Sequence, residues 1–106
     1  MFYVYILETL NQVPDRYGFN RFYAGQTNNI HRRLKEHAAG DGAEVTKLCG
    51  IDQLVFVREV DSREVALALE SNLTRRINEG WVPPESSCCF ISVDQAIKTY
   101  SGWWYS

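Results

Sequence analysis

The run RFYAGQTNNIHRRLKEHAAG, residues 21–40, changes its period halfway along. Arg21 to Ala24 is short and aromatic, the composition of a strand. Beyond it, Ile30, Leu34 and Ala38 recur at the spacing of one helix face. Thr27 or Asn28 supplies the N-cap, and Gly40 with Gly42 ends the helix near Ala39. Gly25 lies between the two periods, where a missing side chain lets backbone or ligand come close. A strand leading into a helix that carries Arg32, Arg33 and His37 is therefore the segment around which the other elements are placed.

Working outward, Phe2 to Leu7 is β-branched and aromatic and reads as a first strand, and Gln53 to Val60 as a third. Asn11 to Asn20 contains Pro14, Asp15 and Gly18, so it is a loop longer than a tight hairpin turn. Asp61 followed by Glu64 resembles a capping box and opens a helix from Ser62 to Glu79, closed by Gly80. Trp81 to Phe90, with Pro83 and Pro84, is irregular; Ser92 with Gln95 then opens a short helix to about Tyr100, before Trp103, Trp104 and Tyr105. The order β-β-α-β-α-α predicts an α/β fold in which helices cover a three-stranded sheet, because so small a sheet cannot bury its own faces. Residues 1–80 form the domain, and residues 81–106 form a C-terminal extension packed on it.

A chain of 106 residues is the size of one compact domain, which excludes an enzyme with separate cofactor and substrate lobes. With 45% hydrophobic and 13% aromatic residues, disorder is excluded as well. No apolar run approaches the roughly 18 residues that span a bilayer, and the start lacks the basic and apolar segments of a secretory signal, so the expected compartment is cytoplasmic. Cys49, Cys88 and Cys89 are odd in number and lack C-x-x-C spacing, which fits reduced thiols. The net charge of −2 argues against a surface that clamps nucleic acid everywhere. Positive charge gathers in residues 21–47, and the chain beyond them is acidic.

Three groups of polar residues fall on or beside apolar faces. On the first helix, with Ile30, Leu34 and Ala38 as the buried stripe, His37 lies only about 20° outside Ile30, Arg33 lies beyond it one turn away, and Arg32 points to the opposite side. The Arg33–His37 pair at the core rim is either a functional pair or a pair that snorkels over the sheet edge. On the second, Val65, Ala66, Leu69, Leu73 and Ile77 form a stripe with Glu70 about 20° outside it. A carboxylate there needs a cation, a donor or a metal, or else keeps its head in water. Tyr3, Tyr5 and Tyr23 on the strands either pack or present phenols to phosphate oxygens and act as bases.

Taken together, Tyr3-Val4-Tyr5, then Tyr23-Ala24-Gly25-Gln26-Thr27, then Arg33-Leu34-x-x-His37, Gly42-Ala43-x-x-Thr46-Lys47 and Ala66-x-x-x-Glu70 resemble the GIY-YIG nuclease domain over about residues 2–78. The style is that of the small one-domain members. The resemblance implies an antiparallel three-stranded sheet and a divalent-metal-dependent phosphodiesterase, an endonuclease acting on DNA with RNA left open, using Mg²⁺ or Mn²⁺. By the same likeness Tyr5 activates or positions the attacking water and Tyr23 borders the scissile phosphate. Arg33 stabilises that phosphate, Glu70 holds the single metal ion, and His37 matches a less uniform catalytic histidine. Gly25, Lys47 and Arg32 are the expected nucleic-acid contacts. Ala24 departs from the usual Ile or Val, and the loop between the tyrosines exceeds the family's usual length by about seven residues.

Structure-directed or single-stranded substrates are expected, since the acidic C-terminal half suits a duplex binder poorly. The competing reading is a catalytically silent domain of the same fold that binds nucleic acid or protein. The complete tyrosine, arginine and glutamate set speaks against it. The aromatic tail offers a surface for a homodimer.

Overall fold

Strand β1, Phe2–Thr9, is flanked on both sides, by β2 (Phe22–Thr27) and by β3 (Ile51–Val60). A strand in that position has no free edge, and its composition matches the demand: Val4, Tyr5, Ile6 and Leu7 are all fully buried. Both pairings are antiparallel, with Tyr5 opposite Gly25 on β2 and opposite Val57 on β3. The computed structural model describes residues 1–10, 21–40, 50–81, 91, 92, 95 and 98. The sequence expectations for Asn11 to Asn20, for Gly42 and Lys47, for the three cysteines and for the aromatic tail lie outside the described residues.

Alternation along β1 divides the core into two layers. Val4 and Ile6 pack with Phe22, Ala24 and Val55 against Ala66, Leu73 and Ile77 of helix α2 (Arg63–Asn78). Tyr5 and Leu7 face the other way and pack with Leu54 against Ile30 and Leu34 of helix α1 (Ile30–Ala38). The register between β1 and β3 shifts from Ile6↔Phe56 to Leu7↔Leu54, so Val55 is an extra residue on β3. Such a bulge bends the strand and puts the neighbours Val55 and Phe56 in one layer while Leu54 and Val57 serve the other.

The α/β order and the antiparallel β2-β1-β3 sheet are as expected, and particular boundaries differ. Gly25, Gln26 and Thr27 continue β2, so the α1 N-cap is Asn29 and not Thr27 or Asn28. The Asn29 side chain accepts the Arg32 backbone N–H at 3.0 Å, and the Thr27 hydroxyl accepts the Asn29 N–H at 3.1 Å. The buried face of α1 is Ile30, Leu34 and His37, and Ala38 is exposed. The helix is thus rotated slightly toward the histidine. Helix α2 is capped by the Ser62 hydroxyl, which accepts the Val65 N–H; Val65 itself is exposed.

A short fourth strand, β4 (Ile91–Ser92), pairs antiparallel with Gln53 and Leu54. Ser92 therefore belongs to the sheet and does not open a helix, although Gln95 and Lys98 further on are helical. No helix among the described residues is long and apolar enough to cross a membrane.

Candidate active site

The Tyr5 ring lies over Gly25 on the edge strand β2. A Cβ at residue 25 would stand 2.5 Å from Tyr5 Oη and 2.6 Å from Cζ, closer than atoms tolerate. The glycine therefore admits the phenol of its own cross-strand neighbour. From there the hydroxyl meets two residues of α1, which lie one turn apart: His37 Nε2 at 2.8 Å and Arg33 Nε at 3.3 Å. Arg33 Nε–H can only donate, so it takes an acceptor position of the phenol oxygen. The phenol proton is then free to point at His37 Nε2, giving the directed series Arg33→Tyr5→His37.

Electrostatics favour the same protonation states. Burial, together with the Arg33 charge, holds the His37 pKa down at about 4, so the imidazole is neutral and can accept at Nε2. Burial raises the Tyr5 pKa well above the ordinary phenol value; the Arg33 hydrogen bond opposes this, and the Tyr23 and Glu70 charges add to it. Tyr5 is therefore a protonated phenol at rest. Its resting state is not that of a free base.

The other candidates fall around this centre. Tyr23 stands across from Leu7 on the same face as Tyr5, and its ring meets His37 edge-on at 5.9 Å between centroids, comparable to the 5.7 Å of Tyr5 and His37. Glu70 belongs to the helix on the opposite face, yet its charge acts on the Tyr5 phenol. Arg32 is exposed on the outer side of α1, and Gly25 is covered by Tyr5.

One participant was absent from the sequence reading. Glu36 accepts from Arg33 Nη1 at 3.4 Å and forms an ion pair with it. Its signal was available in the i,i+3 spacing of the two residues. With Nε on Tyr5 and Nη1 on Glu36, the guanidinium is held in plane by groups on two different elements.

Glu70 fits a hard divalent cation. It is partly buried, desolvation raises its pKa, and among the described residues no hydrogen bond or ion pair engages its carboxylate. A single carboxylate completed by water and substrate oxygens suits Mg²⁺ or Mn²⁺. Among the described residues there is no cluster of three or more His, Cys, Asp or Glu that would form an all-protein cage.

The small antiparallel sheet flanked by two helices, with a tyrosine on each of its first two strands, an arginine on the first helix and a glutamate on the second, has the architecture of a GIY-YIG domain. The family model for the GIY-YIG catalytic domain matches residues 1–80, and the chain belongs to the GIY-YIG family. Nucleases of this family generally use divalent metals. Similar proteins include a UPF0213 protein of Klebsiella pneumoniae, 39% identical over 71 residues that cover 64% of this chain and 67% of the relative. UPF0213 protein YazA of Bacillus subtilis is 35% identical over 66 residues, covering 59% and 67%. A UPF0213 protein of Natronomonas pharaonis is 32% identical over 87 residues, covering 79% and 93%. No solved structure matches the chain.

Proposed function

We propose that the chain is a divalent-metal-dependent endonuclease that hydrolyses phosphodiester bonds in DNA, on single-stranded or branched substrates. The observation that carries this reading is the hydrogen-bonded series from Arg33 through Tyr5 to His37. A buried phenol with a raised pKa is a poor base by itself. Joined to a neutral imidazole, it becomes a relay once a substrate phosphate draws the Arg33 guanidinium off the buried hydroxyl and opens it to the attacking water: Tyr5 Oη then takes a proton from that water while its own proton passes to His37 Nε2. The water oxygen bonds to phosphorus as the bond to the leaving oxygen breaks; the leaving alkoxide takes a proton from solvent, the imidazolium returns one to solvent, and Tyr5 ends as the phenol it began as.

Arg33 has N–H groups left for a phosphate oxygen beyond those on Tyr5 and Glu36, and its planar fork suits the tetrahedral anion. Binding that anion beside Arg33 offsets the guanidinium charge, one of the two causes of the low His37 pKa. Substrate thereby makes the imidazole a better proton acceptor when one is needed. Tyr23 borders the same phosphate and offers a hydroxyl donor. Held by Glu70, a Mg²⁺ or Mn²⁺ ion would neutralise charge on the non-bridging oxygens and assist departure of the leaving group. Arg32 and Lys47 contact the flanking backbone of the strand.

The test is incubation of the purified protein with single-stranded, duplex, flap and junction DNA, and with matching RNA, in Mg²⁺ or Mn²⁺ beside Glu70→Gln. Cleavage by the wild type that drops at least about 100-fold in the variant supports the reading, since the variant keeps size and helix propensity and loses the charge. No cleavage of any substrate with either metal returns the chain to a silent binding domain.

A further inference from the structure

Glu36 is the one acidic residue of α1, whose sequence IHRRLKEHA carries Arg32, Arg33 and Lys35 beside it. Helix stability does not account for a carboxylate there. It stands in the last turn, where the negative end of the helix dipole disfavours it, and in the pair Arg33–Glu36 the base precedes the acid, the less favourable order. Yet its Oε1 accepts from Arg33 Nη1 at 3.4 Å, and among the described residues it is the only carboxylate within ion-pairing distance of that guanidinium. The other partner of Arg33 is the Tyr5 hydroxyl, a neutral phenol. The Arg33 and Glu36 side chains are 28% and 40% exposed, so the pair lies where a solute meets it, whereas Tyr5 is fully buried. Around the helix Glu36 stands about 60° from Arg33 and about 40° from Arg32, between the two cations assigned to the substrate backbone.

We propose that Glu36 is the resting counter-ion of Arg33, an intramolecular stand-in for the substrate phosphate that gives way when a phosphodiester binds. The inference rests on the nuclease reading of the site and deepens it by naming the residue that sets how readily a phosphate takes hold of Arg33. At rest the guanidinium is anchored on two sides, by Tyr5 through Nε and by Glu36 through Nη1. A phosphate enters on the N–H groups that neither partner holds and then draws the guanidinium away from both. It does so beside a carboxylate of its own sign, and like charges a few ångströms apart at a protein surface repel strongly enough to change affinity several-fold. After cleavage the same competition favours release, because the carboxylate reclaims Nη1 as the product leaves.

Affinity for a fluorescent twelve-nucleotide oligothymidylate, measured by anisotropy with metal chelated by EDTA, reads this competition without cleavage. Glu36→Gln removes the charge and keeps an acceptor for Nη1; Glu36→Ala removes both. Each is expected to bind the strand about three- to tenfold more tightly than the wild type. Glu64→Gln removes one unit of charge from the exposed first turn of α2. That control is expected to stay within about twofold of the wild type, which separates a local effect from one of net charge. In single-turnover cleavage with Mn²⁺, affinity and maximal rate should move in opposite directions: the rate falls in Glu36→Ala, where the guanidinium has lost its outer anchor, and falls less in Glu36→Gln. An ion pair that only supported the helix would give no gain in affinity, and melting temperatures check that each variant is folded. Wild-type or weaker affinity in Glu36→Gln overturns the inference, and so does an equal gain in Glu64→Gln. Tighter binding by the Glu36 variants of a protein that cleaves nothing sinks the nuclease reading alone; cleavage by a wild type whose Glu36 variants bind no more tightly sinks this inference alone.

Discussion

The Tyr5 hydroxyl is shielded from water and held by two polar neighbours, His37 at 2.8 Å and Arg33 at 3.3 Å. Replacing it by phenylalanine keeps the ring but leaves an imidazole nitrogen and a guanidinium N–H without their partner. Tyr5→Phe is therefore expected to cost about 1–2 kcal/mol of stability, read by chemical denaturation. At Gly25 the expected change is geometric: a methyl group at 2.5 Å from Tyr5 Oη must displace the phenol, so Gly25→Ala should reduce cleavage far more than it reduces substrate affinity. His37 predicts a pH dependence. Its folded pKa, about 4, lies below the ordinary 6.5, so between these values the unfolded chain binds more protons and stability falls as pH drops through the window. His37→Gln, which can still accept the Tyr5 hydrogen bond, should flatten the stability profile between pH 4 and 6.5 by roughly 2–3 kcal/mol. The same variant should slow cleavage at every pH, because glutamine cannot take the proton.

At the scale of elements, helix phase decides which arginine acts. Arg33 reaches Tyr5 and Glu36, whereas Arg32 is exposed and spends its backbone N–H on the Asn29 cap. Arg33→Ala should lose roughly 2–4 kcal/mol of transition-state stabilisation and Arg32→Ala should chiefly weaken binding; single-turnover and affinity measurements separate the two, and equal effects on turnover would contradict the phase argument. The phase was legible in the sequence to within a few tens of degrees, since Ile30 and Leu34 mark the face. What the spacing could not show is that His37, and not Ala38, completes that face, because the deciding contact is a tyrosine hydroxyl from another strand. The cap was misplaced for a related reason: Gly25-Gln26-Thr27 resembles a turn locally, but pairing with Tyr5, Val4 and Tyr3 keeps it extended. Likewise Ser92 looks like a helix cap beside Gln95, while Gln53 and Leu54 on β3 hold it in the sheet. Long-range pairing overrides short-range preference in each case.

For the whole molecule, two layers pack on opposite faces of one sheet, and the Glu70 charge on one layer acts on the Tyr5 phenol in the other. Strands β1, β2 and β3, both main helices and the polar residues beside their apolar stripes were legible because burial imposes periodicity. Glu36 was not singled out, and neither was the Gly25–Tyr5 contact, because both depend on side chains brought together by the fold. The chain's weak net charge of −2 predicts poor retention on long duplex DNA at physiological salt, read as early elution from a duplex DNA column. The account as a whole turns on the Tyr5 hydroxyl as the group that moves a proton. Single-turnover cleavage of one labelled substrate by wild type and Tyr5→Phe, at saturating Mn²⁺ and with both proteins shown to be folded, tests this most directly. A fall of about a thousandfold or more, with substrate affinity nearly unchanged, is the predicted result; wild-type turnover in Tyr5→Phe would contradict it.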